Sequence, residues 1–162
     1  MKVDTLLLLP DSLFSIPVPL FHVTIHARSA AVVPAAAVTL GGHDWPALHV
    51  PQTALATPFA ISFEETVDRL AKLPRMFVEP DGSFVWVARS GEVPWQVDGV
   101  LYDRDGRLLF ADLKGTVPPH QLDELLTALG WPETPVIFQL VREAVFLDEA
   151  TFRSYVTLTN KG

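Results

Sequence analysis

The reading of the fold turns on WQVDGVLYDRDGRLLFADLKG, Trp95 to Gly115. Apolar and polar residues alternate on either side of Asp103-Arg104-Asp105-Gly106, the pattern of two strands joined by a tight turn. If Asp103 and Arg107 close a three-residue loop with Gly106 in the left-handed position, Asp98 is expected directly across from Asp112, and Gln96 across from Lys114. Directly opposed side chains have Cβ atoms about 4.5–5.5 Å apart. Two carboxylates, a lysine and an amide then share one face. Val97, Leu101, Leu109, Ala111 and Leu113 are expected on the other, better-buried face.

Signals for regular structure surround this hairpin. Ser62-Phe63-Glu64-Glu65 is a capping box, with the Ser62 hydroxyl accepting from the Glu65 amide while the Glu65 side chain reaches back. Phe63, Val67, Leu70 and Ala71 follow on one helical stripe, which Pro74 stops. Met76–Arg89 reads as a hairpin turning at Pro80-Asp81-Gly82. Thr116–Gly130 reads as a helix with prolines in its first turn, an apolar face of Leu122, Leu125, Leu126 and Leu129, and Gly130 at its end. Pro135–Val141 is a buried strand and Ala144–Asp148 a further one, with Asp148 capping a short last helix through Tyr155.

The first sixty residues differ in style. Pro10, Pro17, Pro19, Pro34, Pro46, Pro51 and Pro58 break up any long helix. Short strands between irregular loops are expected, packed against the rest. In Leu20–Ala27, Phe21, Val23 and Ile25 alternate with His22, Thr24 and His26, so a strand with surface histidines is expected there. The fold class implied is α+β, a mainly antiparallel sheet of five to seven strands with two to three packed helices. Residues 1–162 are read as a single domain, with 1–60 a Pro-rich strand-and-loop part. Residues 61–156 are read as a core of helix, two hairpins, helix, one or two strands and helix.

Composition narrows function. The chain has 162 residues, 49% of them hydrophobic, and a net charge of −7. An acidic chain without basic clusters argues against nucleic acid as a partner, because phosphate contacts need grouped Lys and Arg. No cysteine is present, so disulfides, thiolate metal sites and thiol nucleophiles are excluded. The apolar run Leu6–Leu9 lies between Asp4 and Asp11 and is too short for an export signal. Ala30–Leu40 falls short of the roughly 20 residues that span a bilayer. A cytoplasmic protein that does not enter membranes is expected.

Few residues suggest chemistry. His22 and His26 are separated by about 13 Å along a strand, too far to share a metal. His43, Asp44 and His49 flank a Gly41-Gly42 turn and read as loop residues. No G-x-S-x-G elbow, phosphate loop or dinucleotide fingerprint occurs. Trp45, Trp86, Trp95 and Trp131 are expected to complete the core or rim an interface. The charged face of the hairpin is the remaining candidate. Opposed carboxylates repel, and Lys114, a cation such as Mg²⁺ or solvent must compensate. Charged residues on an outward strand face also serve simply to keep a sheet soluble.

Asp98-Gly99, the turn, and Asp112-Leu113-Lys114 resemble the PD-(D/E)xK nuclease superfamily, with Val97 at the position of the motif's proline. The order of elements from Ser62 to Val141 is similar to that family's helix, three strands, helix, strand. The resemblance implies Asp98 and Asp112 as Mg²⁺ ligands and Lys114 as the group that helps activate the attacking water of a phosphodiesterase. Separately, the element order resembles type III secretion chaperones, acidic homodimers that bind extended client segments. The leading expectation is a protein-binding or accessory module without enzymatic activity, acting through a protein partner or self-association as a homodimer and needing no cofactor. The Mg²⁺-dependent nuclease is the alternative.

Overall fold

The computed structural model describes residues 21–161, so the Leu6–Leu9 run lies outside the described residues. Among the described residues, nine strands form one sheet in which every pairing is antiparallel: β1 (Phe21–Ala27), β2 (Val33–Leu40), β3 (His43–His49), β4 (Met76–Val78), β5 (Ser83–Val87), β6 (Gln96–Arg104), β7 (Arg107–Gly115), β8 (Val136–Leu140) and β9 (Val145–Asp148). Their order across the sheet is β2-β3-β9-β8-β1-β7-β6-β5-β4. Three helices accompany it, α1 (Phe63–Ala71), α2 (Pro119–Ala128) and α3 (Glu149–Lys161), with a short 3-10 turn at Gln52–Ala56.

The α+β class holds, but the sheet has nine strands rather than five to seven. The difference comes from the Pro-rich part, which supplies three strands. Gly41 (φ 59°) and Gly42 (φ 81°) are the two central residues of a tight turn that folds β2 onto β3. Pro46 is tolerated because the β2–β3 ladder is interrupted between Ala35 and Val38, opposite it. β1 runs through the middle of the sheet between β8 and β7, so residues 21–49 complete the main sheet.

The helices follow their sequence signals. The Ser62 hydroxyl accepts from the Glu65 amide at 3.0 Å, while the Glu65 carboxylate pairs with Arg69 at 2.6 Å instead of reaching back. Helix α1 ends one turn before Pro74 and buries Thr66 and Leu70, with Ala71 exposed. Helix α2 buries Leu122, Leu125 and Leu126. Asp148 accepts from the Thr151 amide at 2.7 Å and starts α3, which runs to Lys161, well beyond the short helix expected.

Leucines of α1 and α2 and Phe152 of α3 join Val23, Ile25, Val97, Leu101, Ala111, Leu113, Phe138, Leu140 and Leu147 in one core. All three helices therefore pack on the same side of the sheet. The opposite side is covered only in part: Val32 and Ala54 of the 3-10 turn close over Ile137 beside Leu48 and Phe146. Over β4 to β7 none of the described residues covers it. Trp86 is buried in the core, its Nε1 donating to the Pro74 carbonyl at 2.8 Å, and Trp45, Trp95 and Trp131 pack partly buried around it. Among the described residues no helix is long and apolar enough to cross a membrane.

Candidate functional site

The register of the β6–β7 hairpin decides which charged groups meet. The turn has two central residues, Asp105 (φ 53°) and Gly106 (φ 84°), with Arg104 facing Arg107. A bulge follows: Asp103 faces Leu108, but Tyr102 faces Phe110, leaving Leu109 as the extra residue. Leu108 is consequently buried in the core and Leu109 only half-buried, the reverse of the simple alternation.

Past the bulge, Asp98 lies directly across from Lys114, and Asp112 across from Val100. The expected opposition of Asp98 to Asp112, and of Gln96 to Lys114, is thus corrected by two residues. Asp98, Asp112 and Lys114 do share the face away from the helices, with Lys114 next to both acids. Neighbouring ladders extend this face into rows. One row reads Phe77, Val85, Asp98, Lys114 and His22 from β4 to β1; the next contains Ser83, Val100, Asp112, Thr24, Gln139 and Phe146; a third contains Tyr102, Phe110, His26 and Ile137.

Each acid has its own partner. The Gln96 amide donates to Asp98 at 2.9 Å. His22 Nε2 lies 3.1 Å from both Asp112 oxygens, so Asp112 orients the imidazole. Lys114 forms no ion pair among the described residues. Asp98 and Lys114 help line an open cavity of about 530 Å³ with Phe21, His22, Gln96, Gly115 and Arg142. Asp112 is set back behind His22. Among the described residues no three His, Asp or Glu side chains are grouped to hold a metal ion, around these acids or around His43, Asp44 and His49. His43 instead contacts the Gly41 carbonyl at 3.1 Å, and Asp44 accepts from Thr39 at 2.6 Å.

His26 overturns the reading of surface histidines: only 6% of it is exposed. Its ring stacks on Phe110 with centroids 5.2 Å apart and meets Phe146 edge-on at 6.0 Å. The Thr24 hydroxyl donates to Gln139 Oε1 at 3.3 Å and therefore accepts from His26 Nε2–H at 2.8 Å. Nδ1 is buried and has no partner among the described residues. Protonation would place an unpaired N–H there, and burial accordingly lowers the pKa to about 4.

The third row continues outward. Phe110 stacks on Tyr102, centroids 4.4 Å apart and planes within 14°. Tyr102 is 44% exposed, Val85 37% and Phe77 60%, all on the bare half of the face. Sequence reasoning missed this aromatic ladder, although Tyr102 and Phe110 become cross-strand neighbours once the bulge is placed. It also missed Arg142 and the pairing of His22, because the partners lie on strands remote in sequence.

The chain matches no protein-family model, no curated protein and no solved structure.

Proposed function

We propose that the protein is a protein-binding module that uses the helix-free face of β4 to β7, with a second copy of the same chain as its partner. The observation that carries this reading is the exposure of Phe77, Val85 and Tyr102 beside half-buried Val100 and Phe110 on a sheet face that no helix or strand among the described residues covers. Exposed apolar surface of this kind stabilises association when water is excluded from it. Charge favours self-association. A two-fold contact brings each patch against its own copy. The row that holds Phe77 and Val85 also holds Asp98 and Lys114, so each copy offers both signs and can pair acid to lysine reciprocally. A patch of one sign, in a chain carrying −7, would repel itself.

Sedimentation equilibrium tests this. The wild-type chain is expected to show a concentration-dependent dimer, and Tyr102→Glu to sediment as a monomer with an unchanged circular dichroism spectrum. A wild-type chain that stays monomeric throughout the range defeats the proposal.

The second reading, Mg²⁺-dependent phosphodiester cleavage by Asp98, Asp112 and Lys114, draws support from their shared face. Their geometry favours it less. Asp98 and Asp112 are offset by two residues along the ladder and separately bonded to Gln96 and His22, and among the described residues no third ligand joins them. Calorimetric titration of the wild type and Asp112→Ala with Mg²⁺ decides it: a saturable heat lost in the variant, with nicking of plasmid DNA, would replace the binding reading.

A further inference from the structure

The cavity beside Lys114 calls for a ligand of its own. Arg142 follows β8 directly. The Val141 amide donates to the His22 carbonyl at 3.0 Å, which fastens this turn to the start of β1 and brings Arg142 to the mouth of the cavity. Lys114 comes from β7, two strands from β8. Two of the twelve Lys and Arg residues of an acidic chain thus converge on one concavity, and neither is ion-paired among the described residues.

Of the neighbouring acids, Asp98 bonds to Gln96 and Asp112 to His22, and neither is ion-paired with Lys114 or Arg142. Asp98 gives one oxygen, Oδ1, to Gln96, so Oδ2 can accept from a ligand. Phe21 supplies an apolar wall, steadied edge-on by Phe152 at 5.9 Å. A second cavity of about 200 Å³ shares Phe21, His22 and Arg142 and extends the space toward Tyr155 of α3.

We infer that this cavity binds a small carboxylate carrying a hydrogen-bond donor beside it, of the amino- or hydroxy-acid class. Arg142 and Lys114 take the carboxylate, the first as a two-pronged donor and the second as a point charge. Asp98 Oδ2 accepts from the ammonium or hydroxyl on the adjacent carbon. In the cavity of about 530 Å³ two cations stand against one acid, a single net positive charge, and Glu143 of the adjoining cavity lowers it further, which suits a carboxylate better than a phosphate dianion. His22 closes the floor, oriented by Asp112. Asp98 and Lys114 also belong to the proposed contact between copies, so a bound ligand competes with that pairing; Tyr102 and Phe77 are not part of the cavity, and titrating the Tyr102→Glu chain separates ligand binding from dimerisation.

The test is calorimetric titration of the full chain with glycine, glycolate, acetate and inorganic phosphate. Glycine or glycolate is expected to bind, whichever does naming the donor, and acetate to bind about tenfold more weakly for want of the contact to Asp98. Lys114→Gln and Arg142→Gln should each weaken binding by about tenfold or more. Asp98→Asn should erase the preference over acetate, and by removing a negative charge beside Lys114 it should bind acetate itself more tightly. All three side chains are exposed, so folding is expected to survive, checked by near-ultraviolet circular dichroism. No heat with any probe overturns the inference, as does binding indifferent to Lys114 and Arg142, or phosphate binding more tightly than every carboxylate.

Discussion

His26 should make the protein sensitive to acid well above the pH at which carboxylates protonate. In the unfolded chain its imidazole titrates near 6.5; in the fold burial holds it at about 4. Because the folded value is the lower one, the unfolded state binds the proton first. The stability contributed by a neutral His26 is fully present above pH 6.5 and is lost as pH falls from there toward 4. A shift of this size corresponds to about 3 kcal/mol at the lower limit, of which about 2 kcal/mol is already lost at about pH 5. That is a large share of the 5–15 kcal/mol that typically separates folded from unfolded domains. The perturbation is His26→Leu, which keeps an apolar side chain between Phe110 and Phe146 and removes the titrating ring. Urea unfolding would be followed for both proteins from about pH 7.5 to about pH 5. The wild type should lose about 2 kcal/mol more than the variant over that range, whatever their difference at neutral pH. Carboxylates titrate in both proteins and cancel in the comparison. Parallel pH profiles, or a His26 resonance titrating near 6.5 by NMR, would refute the reasoning.

Two further predictions address the hairpin. The chain has no cysteine of its own, so register can be read by engineered cross-links. Asp98→Cys with Lys114→Cys should oxidise to a disulfide, since opposed Cβ atoms lie about 4.5–5.5 Å apart, whereas Asp98→Cys with Asp112→Cys, a diagonal pair about 7–8 Å apart, should stay reduced on non-reducing gels. Gly99 faces Phe84 across β5 and β6, and a Cβ built there would sit 2.1 Å from Phe84 Cζ. Gly99→Ala should therefore cost about 1–3 kcal/mol in urea unfolding, with most of it recovered by adding Phe84→Leu; a neutral Gly99→Ala would show that the ring does not cover this position.

The elements legible in the sequence are those whose signals are local. The Ser62 cap, the leucine face of α2 and the Asp81-Gly82 turn each state their structure within a dozen residues, and each formed as expected. What escaped was decided at a distance. Pro34 and Pro46 argue against strands when read alone, yet β2 and β3 form because Gly41-Gly42 closes them together and β9 gives β3 a neighbour at Leu48–Phe146. His26 alternates with apolar residues as a surface residue would, but Phe110 and Phe146 arrive from strands far along the chain and close over it.

The hairpin shows how narrowly the candidate site depends on such details. The two-residue turn at Asp105-Gly106, continued as a regular ladder, would put Asp98 and Asp112 on opposite faces, because a slip of one residue inverts every side chain beyond it. The extra residue at Leu109 restores the parity. It also bends the start of β7 to where the Phe59 amide donates to the Leu108 carbonyl at 2.7 Å and the Leu108 amide donates to the Ile61 carbonyl at 3.2 Å. The chain leading into α1 therefore holds the bulge in place. In this way a contact on the far side of Leu108 determines that Asp98, Lys114 and the exposed aromatic ladder all face the same way. Nothing within Trp95–Gly115 alone specifies it.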